Sequence, residues 1–271
     1  MRCFWCHNPE TISPYKQLLS YQKKCVGCGK CIEICPFNAH QIKDGEKIYL
    51  RELCRLCGKC ADICYARSLE ICGKTVTVGE VMKEVVEDIS FYKNSSGGVT
   101  FSGGEPLLQI NFLREMLEEC KKTGIHTAVD TAANVPWENF SKILKYTDLF
   151  LFDLKVFDPE KHIGATGVGN ERILDNLKKL SDAKAEIFIR IPVIPTINDN
   201  PDEIKKIADF LKDIKGVNQV ELLPFHRYGE EKYKSLGVEY PAKNCSPPDK
   251  ETVEDLADIF RDSGITVFVR G

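Results

Sequence analysis

Thiol side chains dominate the chemistry open to this sequence. Ten of its thirteen cysteines lie within the first 64 residues, at spacings that suit metal ligation rather than packing. Cys3 and Cys6 form a C-x-x-C pair followed at once by His7, Asn8, Pro9 and Glu10. Two longer runs come next, Cys25-Val-Gly-Cys28-Gly-Lys-Cys31-Ile-Glu-Ile-Cys35 and Cys54-Arg-Leu-Cys57-Gly-Lys-Cys60-Ala-Asp-Ile-Cys64. Each reads C-x₂-C-x₂-C-x₃-C. Four soft thiolates over so few residues, twice, suit paired iron–sulfur clusters better than two zinc sites. A disulfide framework fits poorly, because the chain is long and opens with no secretory signal pattern. Iron and sulfur in turn imply a reducing, anaerobic compartment.

The two long runs have the spacing of bacterial two-cluster ferredoxins, in which the fourth cysteine of each run ligates the other cluster. That resemblance assigns Cys25, Cys28, Cys31 and Cys64 to one cluster and Cys54, Cys57, Cys60 and Cys35 to the other. Gly27, Gly29 and Gly58 let backbone N–H groups approach cluster sulfides with no side chain in the way. Tyr65 stands where proline is usual after the fourth cysteine, a change in the turn rather than in the ligands.

A second set of polar residues follows short apolar stretches, strand after strand. Ser102-Gly103-Gly104-Glu105-Pro106 follows Val99–Phe101, Asp130-Thr131 follows Thr127–Val129, and Asp153-Leu154-Lys155 follows Leu149–Phe152. Arg190 interrupts the apolar run 187–191, and His226 follows the strand around Val220–Leu223. In βα architectures working residues gather at the C-terminal ends of strands. Any one of these groups alone has an ordinary structural explanation, but five in register on one face form a candidate site.

The elements that must position them alternate from Val78 onward. Val78, Val81, Met82, Val85, Val86 and Ile89 mark an amphipathic helix. Further helices are expected near Leu113–Cys120, Trp137–Lys145, Asn170–Leu180, Ile204–Ile214 and Thr252–Arg261. Strands are expected at the apolar stretches between them, with Leu149–Phe152 continuous enough for burial on both faces, and a last one at Ile265–Val269. Such alternation argues for parallel βα units, either an open or partial (β/α) barrel or a doubly wound sheet. Thr11–Lys24 reads as a connector. The expected division is an α/β body of residues 1–15 and 75–271 interrupted by a cysteine-rich insert, 16–74. His40 and His162 read as surface residues, and Cys120 as core.

Composition removes several classes. Lys and Arg total 37 against 40 Asp and Glu, a net charge of −3, which lacks the basic footprint of a nucleic-acid binder. No apolar run approaches the length of a membrane span. The expectation is a cytoplasmic protein with neither nucleic acid nor membrane as partner.

The opening residues resemble the end of the loop C-x-x-x-C-x-x-C-H-N-P-E of the radical S-adenosylmethionine enzymes that activate glycyl-radical enzymes. In that family three thiolates hold a [4Fe–4S] cluster and one iron stays open for the amino and carboxylate groups of S-adenosylmethionine. The resemblance makes Cys3 and Cys6 ligands of this cluster, with Trp5, Cys6 and His7 beside the cofactor. The third ligand of the pattern would precede Met1. The expectation is therefore that Met1 is an internal methionine with a strand and a cysteine upstream of it. The full form would hold three clusters. The form starting at Met1 would hold two, about eight irons, and leave S-adenosylmethionine uncleaved.

The resemblance continues along the chain. Gly103, Gly104 and Glu105 look like the family's motif for the methionyl amino group, and Asp153, Leu154 and Lys155 like its D-x-K motif near the methionyl carboxylate. Asp130 and Asp153 match positions that help bind a monovalent cation, although Ala132-Ala133 departs from the family's Ser-Gly there. Arg190 and His226 match residues lining the cofactor pocket. The ferredoxin-like insert resembles the branch that activates eliminases, dehydratases and decarboxylases. The mechanism implied is reductive. One electron from a donor such as flavodoxin or ferredoxin cleaves the sulfonium, and the resulting 5′-deoxyadenosyl radical takes a Cα hydrogen from a glycine of the partner enzyme. No catalytic side chain is required beyond those that orient the cofactor. Two other readings stay open: a radical enzyme using the extra clusters on a different substrate, and an electron-transfer protein whose barrel is inactive for want of the first cysteine.

Overall fold

The computed structural model describes residues 1–270, which form two compact units. The smaller comprises Trp5–Thr75 and Arg227–Asn244. The larger comprises Met1–Phe4, Val76–His226 and the chain from Cys245 onward.

The smaller unit is an internal repeat. It runs β1 (Gln17–Ser20), α1 (Lys30–Ile34), β2 (His40–Lys43), β3 (Glu46–Tyr49), α2 (Lys59–Asp62) and β4 (Leu69–Cys72). A shift of 29 residues carries β1 onto β3, α1 onto α2 and β2 onto β4, just as it carries Cys25 onto Cys54 and Cys35 onto Cys64. Pairing is crossed between the halves: β1 lies antiparallel to β4, and β2 antiparallel to β3. The backbone repeats as well. Gly27 and Leu56 have φ of 73° and 52°, and Asn38 and Arg67 have 51° and 47°. A leucine and an arginine in the left-handed region, which normally favours Gly or Asn, indicate that the cysteine loops dictate this conformation rather than local preference. Asp44-Gly45, both with positive φ, makes the two-residue turn between β2 and β3. Leu18, Cys31, Cys60 and Leu69 form the small core. The supposed connector 11–24 thus contains a buried strand, β1, too short for its period to be read.

The larger unit alternates as expected. Thr77 and Glu80 close a capping box at the start of α3 (Val78–Glu87). The chain continues through α4 (Ile89–Ser95), β5 (Gly98–Phe101), α5 (Ile110–Lys122), β6 (His126–Thr131), α6 (Trp137–Ser141), β7 (Leu149–Asp153), α7 (Pro159–Thr166), α8 (Glu171–Asp182), β8 (Ile187–Val193), α9 (Pro201–Leu211) and β9 (Val217–Pro224). After α10 (Glu230–Leu236), which belongs to the smaller unit, α11 (Lys250–Asp262) and β10 (Val267–Val269) complete it. β5 to β10 form one six-stranded sheet in sequence order, parallel throughout.

The core lies on one face of this sheet. Phe150, Phe152, Ile187, Ile189 and Ile191 point into it and meet Leu117 of α5, Leu177 of α8, Ile207 of α9 and Phe260 of α11. The alternate residues, Leu149, Leu151, Phe188 and Arg190, are only half-buried. Leu149–Phe152 is therefore apolar without being enclosed on both faces. The helix expected over 78–89 ends at Asp88, whose φ and ψ of −93° and 7° separate α3 from α4. That expected over 137–145 shortens to α6 plus a single 3₁₀ turn, Leu144–Tyr146. Among the described residues no helix is long and apolar enough to cross a membrane.

Candidate functional site

Parallel strands bring their C-terminal ends to one edge, so sequence order becomes proximity. Asp153 of β7 pairs in register with Arg190 of β8, and Asp130 of β6 with Leu151 of β7. On the half-buried face these residues make a charged set. Arg190 Nη1 lies 2.8 Å from Asp130 Oδ2, and Lys155 Nζ lies 2.6 Å from Asp153 Oδ2. The Ser102 hydroxyl donates to Asp130 at 3.0 Å. Glu105, half-buried, accepts from the Thr131 hydroxyl at 2.8 Å, from the Ala132 N–H at 3.0 Å and from the Leu107 N–H at 3.2 Å. Gly103, with φ of 141°, takes a conformation that a side chain would strain. Leu154 is buried between the two charged residues of its motif, and His226 stands half-buried just beyond β9.

The electrostatics of this set are those of charges kept from water. Burial, with Asp153 adding to it, raises the Asp130 carboxyl above the ordinary carboxylate range despite Arg190. Burial likewise raises Glu105, against three hydrogen bonds that favour its ionised form. At Lys155 burial works against the charge, but Asp153, Cys3 and Asp130 outweigh it and the ammonium is held more firmly than usual. Arg190 is held by Asp130 and Asp153 in the same way, yet its Nε–H is buried with no hydrogen-bond partner. Three carboxylates face two cations, leaving one negative charge and one unmatched donor.

Buried amides fix the loops that carry these groups. Asn198 donates to the carbonyls of Lys155 and Pro192, both at 2.7 Å, while its Oδ1 accepts from the Ile194 N–H at 2.6 Å. Asn170 holds the Val156 and Phe157 carbonyls, and Asn176 those of Ala133 and Val135. Sequence reading missed all three: Asn170 and Asn198 look like ordinary loop composition, and Asn176 is a single polar residue within a helical stripe. His162 was expected at the surface but is buried, its Nδ1 2.7 Å from the Val168 carbonyl. His40 is buried too, stacked on Tyr49 with ring centroids 5.4 Å apart. Cys120 is core as expected.

The N-terminal cysteine segment is divided between the units. In the larger, the Arg2 and Phe4 N–H groups donate to the Thr166 and Ala165 carbonyls, and Cys3 lies in electrostatic range of Lys155. In the smaller, Trp5 is buried and Cys6 and His7 are half-buried. A Cβ on Gly229 would come within 3.1 Å of the His7 Cα and 3.2 Å of the Cys6 carbonyl oxygen. A side chain there would press on the loop backbone. Lys232 of α10 reaches Asn8 Oδ1 at 2.6 Å and Glu10 Oε1 at 2.7 Å, tying the loop's tail to the helix.

The two long cysteine runs surround two hollows. Cys25, Cys28, Cys31 and Cys64 line one, and Cys35, Cys54, Cys57 and Cys60 the other. Four thiols around a hollow suit a cubane, in which each thiolate binds its own corner iron and the sulfurs ring a volume. The residues therefore fit paired clusters. Backbone N–H groups reach the sulfurs, from Ala39 to Cys35 at 3.3 Å and from Leu56 to Cys54 at 3.4 Å. Burial raises the Cys31 thiol and pushes that of Cys60 up to about 11, costs that ligation by iron would remove.

A parallel α/β sheet with charged strand ends, joined to a paired-cluster module, is the architecture of a radical S-adenosylmethionine enzyme with a ferredoxin-like part. The Radical SAM superfamily profile matches residues 54–211, and a 4Fe-4S dicluster domain profile matches residues 24–69. The (2S)-3-sulfopropanediol dehydratase activating enzyme of Klebsiella oxytoca is 40% identical, over 98% of this chain and 87% of its own. The trans-4-hydroxy-L-proline dehydratase activating enzyme of Clostridioides difficile is 41% identical, over 100% and 90%. A crystallised domain of pyruvate-formate lyase-activating enzyme from Bacteroides vulgatus superposes with a TM-score of 0.56 at 33% identity, covering 65% of this chain and 99% of that domain. The chain belongs to the radical SAM superfamily and, within it, to the glycyl-radical enzyme activating enzymes.

Proposed function

We propose that this protein activates a glycyl-radical enzyme by holding the methionyl end of S-adenosylmethionine against the strand-end residues Glu105, Asp130, Asp153, Lys155 and Arg190. The observation that carries the reading is their convergence at one sheet edge, with Lys155 also in range of Cys3. The residual negative charge complements a cofactor whose sulfonium and ammonium outnumber its carboxylate. Lys155 offsets that carboxylate, Glu105 accepts from the ammonium with its spare lone pairs, and the unmatched Arg190 Nε–H offers a further donor. Trp5, Cys6, His7, Gly103, Gly104, Leu154 and His226 complete the surround. When bound at Cys3 and Cys6, a [4Fe–4S] cluster supplies the electron that cleaves the sulfonium. The protein's share is to orient and to exclude water. A monovalent cation at Asp130 and Asp153 would have to displace Arg190 or Lys155, which already occupy those carboxylates.

In this reading residues 16–74 are the two-cluster insert and 1–15 with 75–271 the body, whose one-sided core favours a partial barrel over a doubly wound sheet. Flavodoxin or ferredoxin serves as electron donor, and the cytoplasm supplies the reducing compartment. Affinity for S-adenosylmethionine tests the site. In the iron-loaded protein Lys155→Met and Glu105→Gln should each weaken binding about tenfold to a hundredfold, the loss of one charge-assisted contact. Unchanged affinity in both would remove these residues from the cofactor site.

A further inference from the structure

The 29-residue repeat allows the two cluster hollows to be compared position by position. Ile42 in the first matches Ile71 in the second, Lys30 matches Lys59, and Ala66 matches Phe37. Two positions break the symmetry in the same electrical sense. Where the second hollow has Leu18, which is 1% exposed, the first has Lys47, whose Nζ is buried with no hydrogen-bond partner. Where the second has Ala39, the first has Ser68, whose hydroxyl lies 3.3 Å from Cys64 Sγ. Two differences run the other way. Arg55 for Val26 sets an exposed guanidinium at the second hollow, where water and salt screen it. His40, which the repeat matches to Leu69, also lines the second hollow, but burial and Lys47 lower its imidazole to about 4 and keep it uncharged.

An ammonium buried without a partner is costly unless an anion lies beside it. Lys47 stands in electrostatic range of Cys31, and the Gln22 side chain holds its backbone by a 2.8 Å hydrogen bond to the Lys47 carbonyl. The missing counter-charge is a thiolate-ligated cluster. We propose that Lys47 splits the reduction potentials of the two clusters, making that of Cys25, Cys28, Cys31 and Cys64 the easier to reduce and the first to receive an electron. This rests on the reading that both hollows hold [4Fe–4S] clusters. The step is a one-electron reduction from a low-potential donor, dithionite in the test. No bond forms or breaks and no proton moves. The reduced cluster is one charge more negative, so a fixed cation beside it, and a hydrogen bond to its sulfur, favour reduction.

EPR-monitored redox titration of the iron-loaded full chain tests this. Wild type should give two separable couples from these eight cysteines, apart from any signal of a cluster at Cys3 and Cys6. Lys47→Leu, which copies Leu18, should lower the upper couple by at least a tenfold change in the reduced-to-oxidised ratio, about 59 mV for one electron, and leave the lower in place. Lys47→Arg should hold the upper couple near its wild-type value, and Lys43→Met, an exposed lysine on the same hairpin, should move neither. Ser68→Ala should lower the same couple by less. A single wild-type couple, or a Lys47→Leu shift no larger than that of Lys43→Met, overturns the proposal. Should Lys47→Leu fail to load iron, Lys47→Gln carries the same expectation, and unmoved couples there overturn it equally. Wild type loading far fewer than about eight irons would instead sink the cluster reading itself.

Discussion

At the scale of single residues, the strand-end charges depend on one another. Removing Arg190 leaves Asp130 half-buried without its ion-pair partner, with the Ser102 hydroxyl and the more distant Lys155 to offset its charge. Arg190→Met should therefore destabilise the fold by roughly 2 kcal/mol, between the surface and buried limits for a broken ion pair, as measured by denaturant unfolding. His162 makes a different prediction. Burial holds its imidazole below the ordinary 6.5, so folding favours the neutral form. That contribution is complete above pH 6.5 and is lost as the pH falls from there through the lower folded value. His162→Gln should flatten the decline in melting temperature between about pH 7 and about pH 5; an unchanged slope would mean that other groups control it. The motif residues were legible in sequence because several share one pattern, a polar group closing an apolar strand. His40, His162 and Lys47 were not, because burial of a lone polar residue depends on what folds over it and leaves no local periodicity.

At the scale of elements, the loops after β7 and β8 are joined through Asn198, which satisfies three backbone groups at once. Asn198→Ala should cost about 2–4 kcal/mol and, by freeing the Lys155 backbone, weaken S-adenosylmethionine binding more than its distance from the cofactor would suggest. Calorimetric melting and cofactor titration together check this, and a loss of stability with unaltered affinity would separate the loop anchor from the site. Helices with long apolar stripes, such as α5, α8, α9 and α11, could be read from spacing alone. The four-residue strands of the smaller unit could not, since β1, β2, β3 and β4 are too short to display a period. Their best signal was the Asp44-Gly45 hairpin turn and the recurrence of whole elements 29 residues apart.

At the scale of the molecule, alternation of helix and strand was enough to give a parallel sheet, because right-handed βα crossovers leave few other arrangements. Which face of that sheet would carry the core was not given by alternation, and it is the other, half-buried face that carries Asp130, Asp153 and Arg190. The assignment of Arg227–Asn244 to the same unit as the cysteine runs was also beyond sequence reading, since it rests on packing between segments separated by all of residues 76–226.

The central claim is that these strand ends serve radical transfer to a protein glycine. The most direct test combines the iron-loaded protein with dithionite, S-adenosylmethionine and a glycyl-radical enzyme of the dehydratase kind, and records the EPR spectrum of the partner. The account predicts a glycyl radical on the partner that is lost with Lys155→Met. Cleavage of S-adenosylmethionine to 5′-deoxyadenosine with no such radical in the partner, or a radical formed equally well by Lys155→Met, would contradict it.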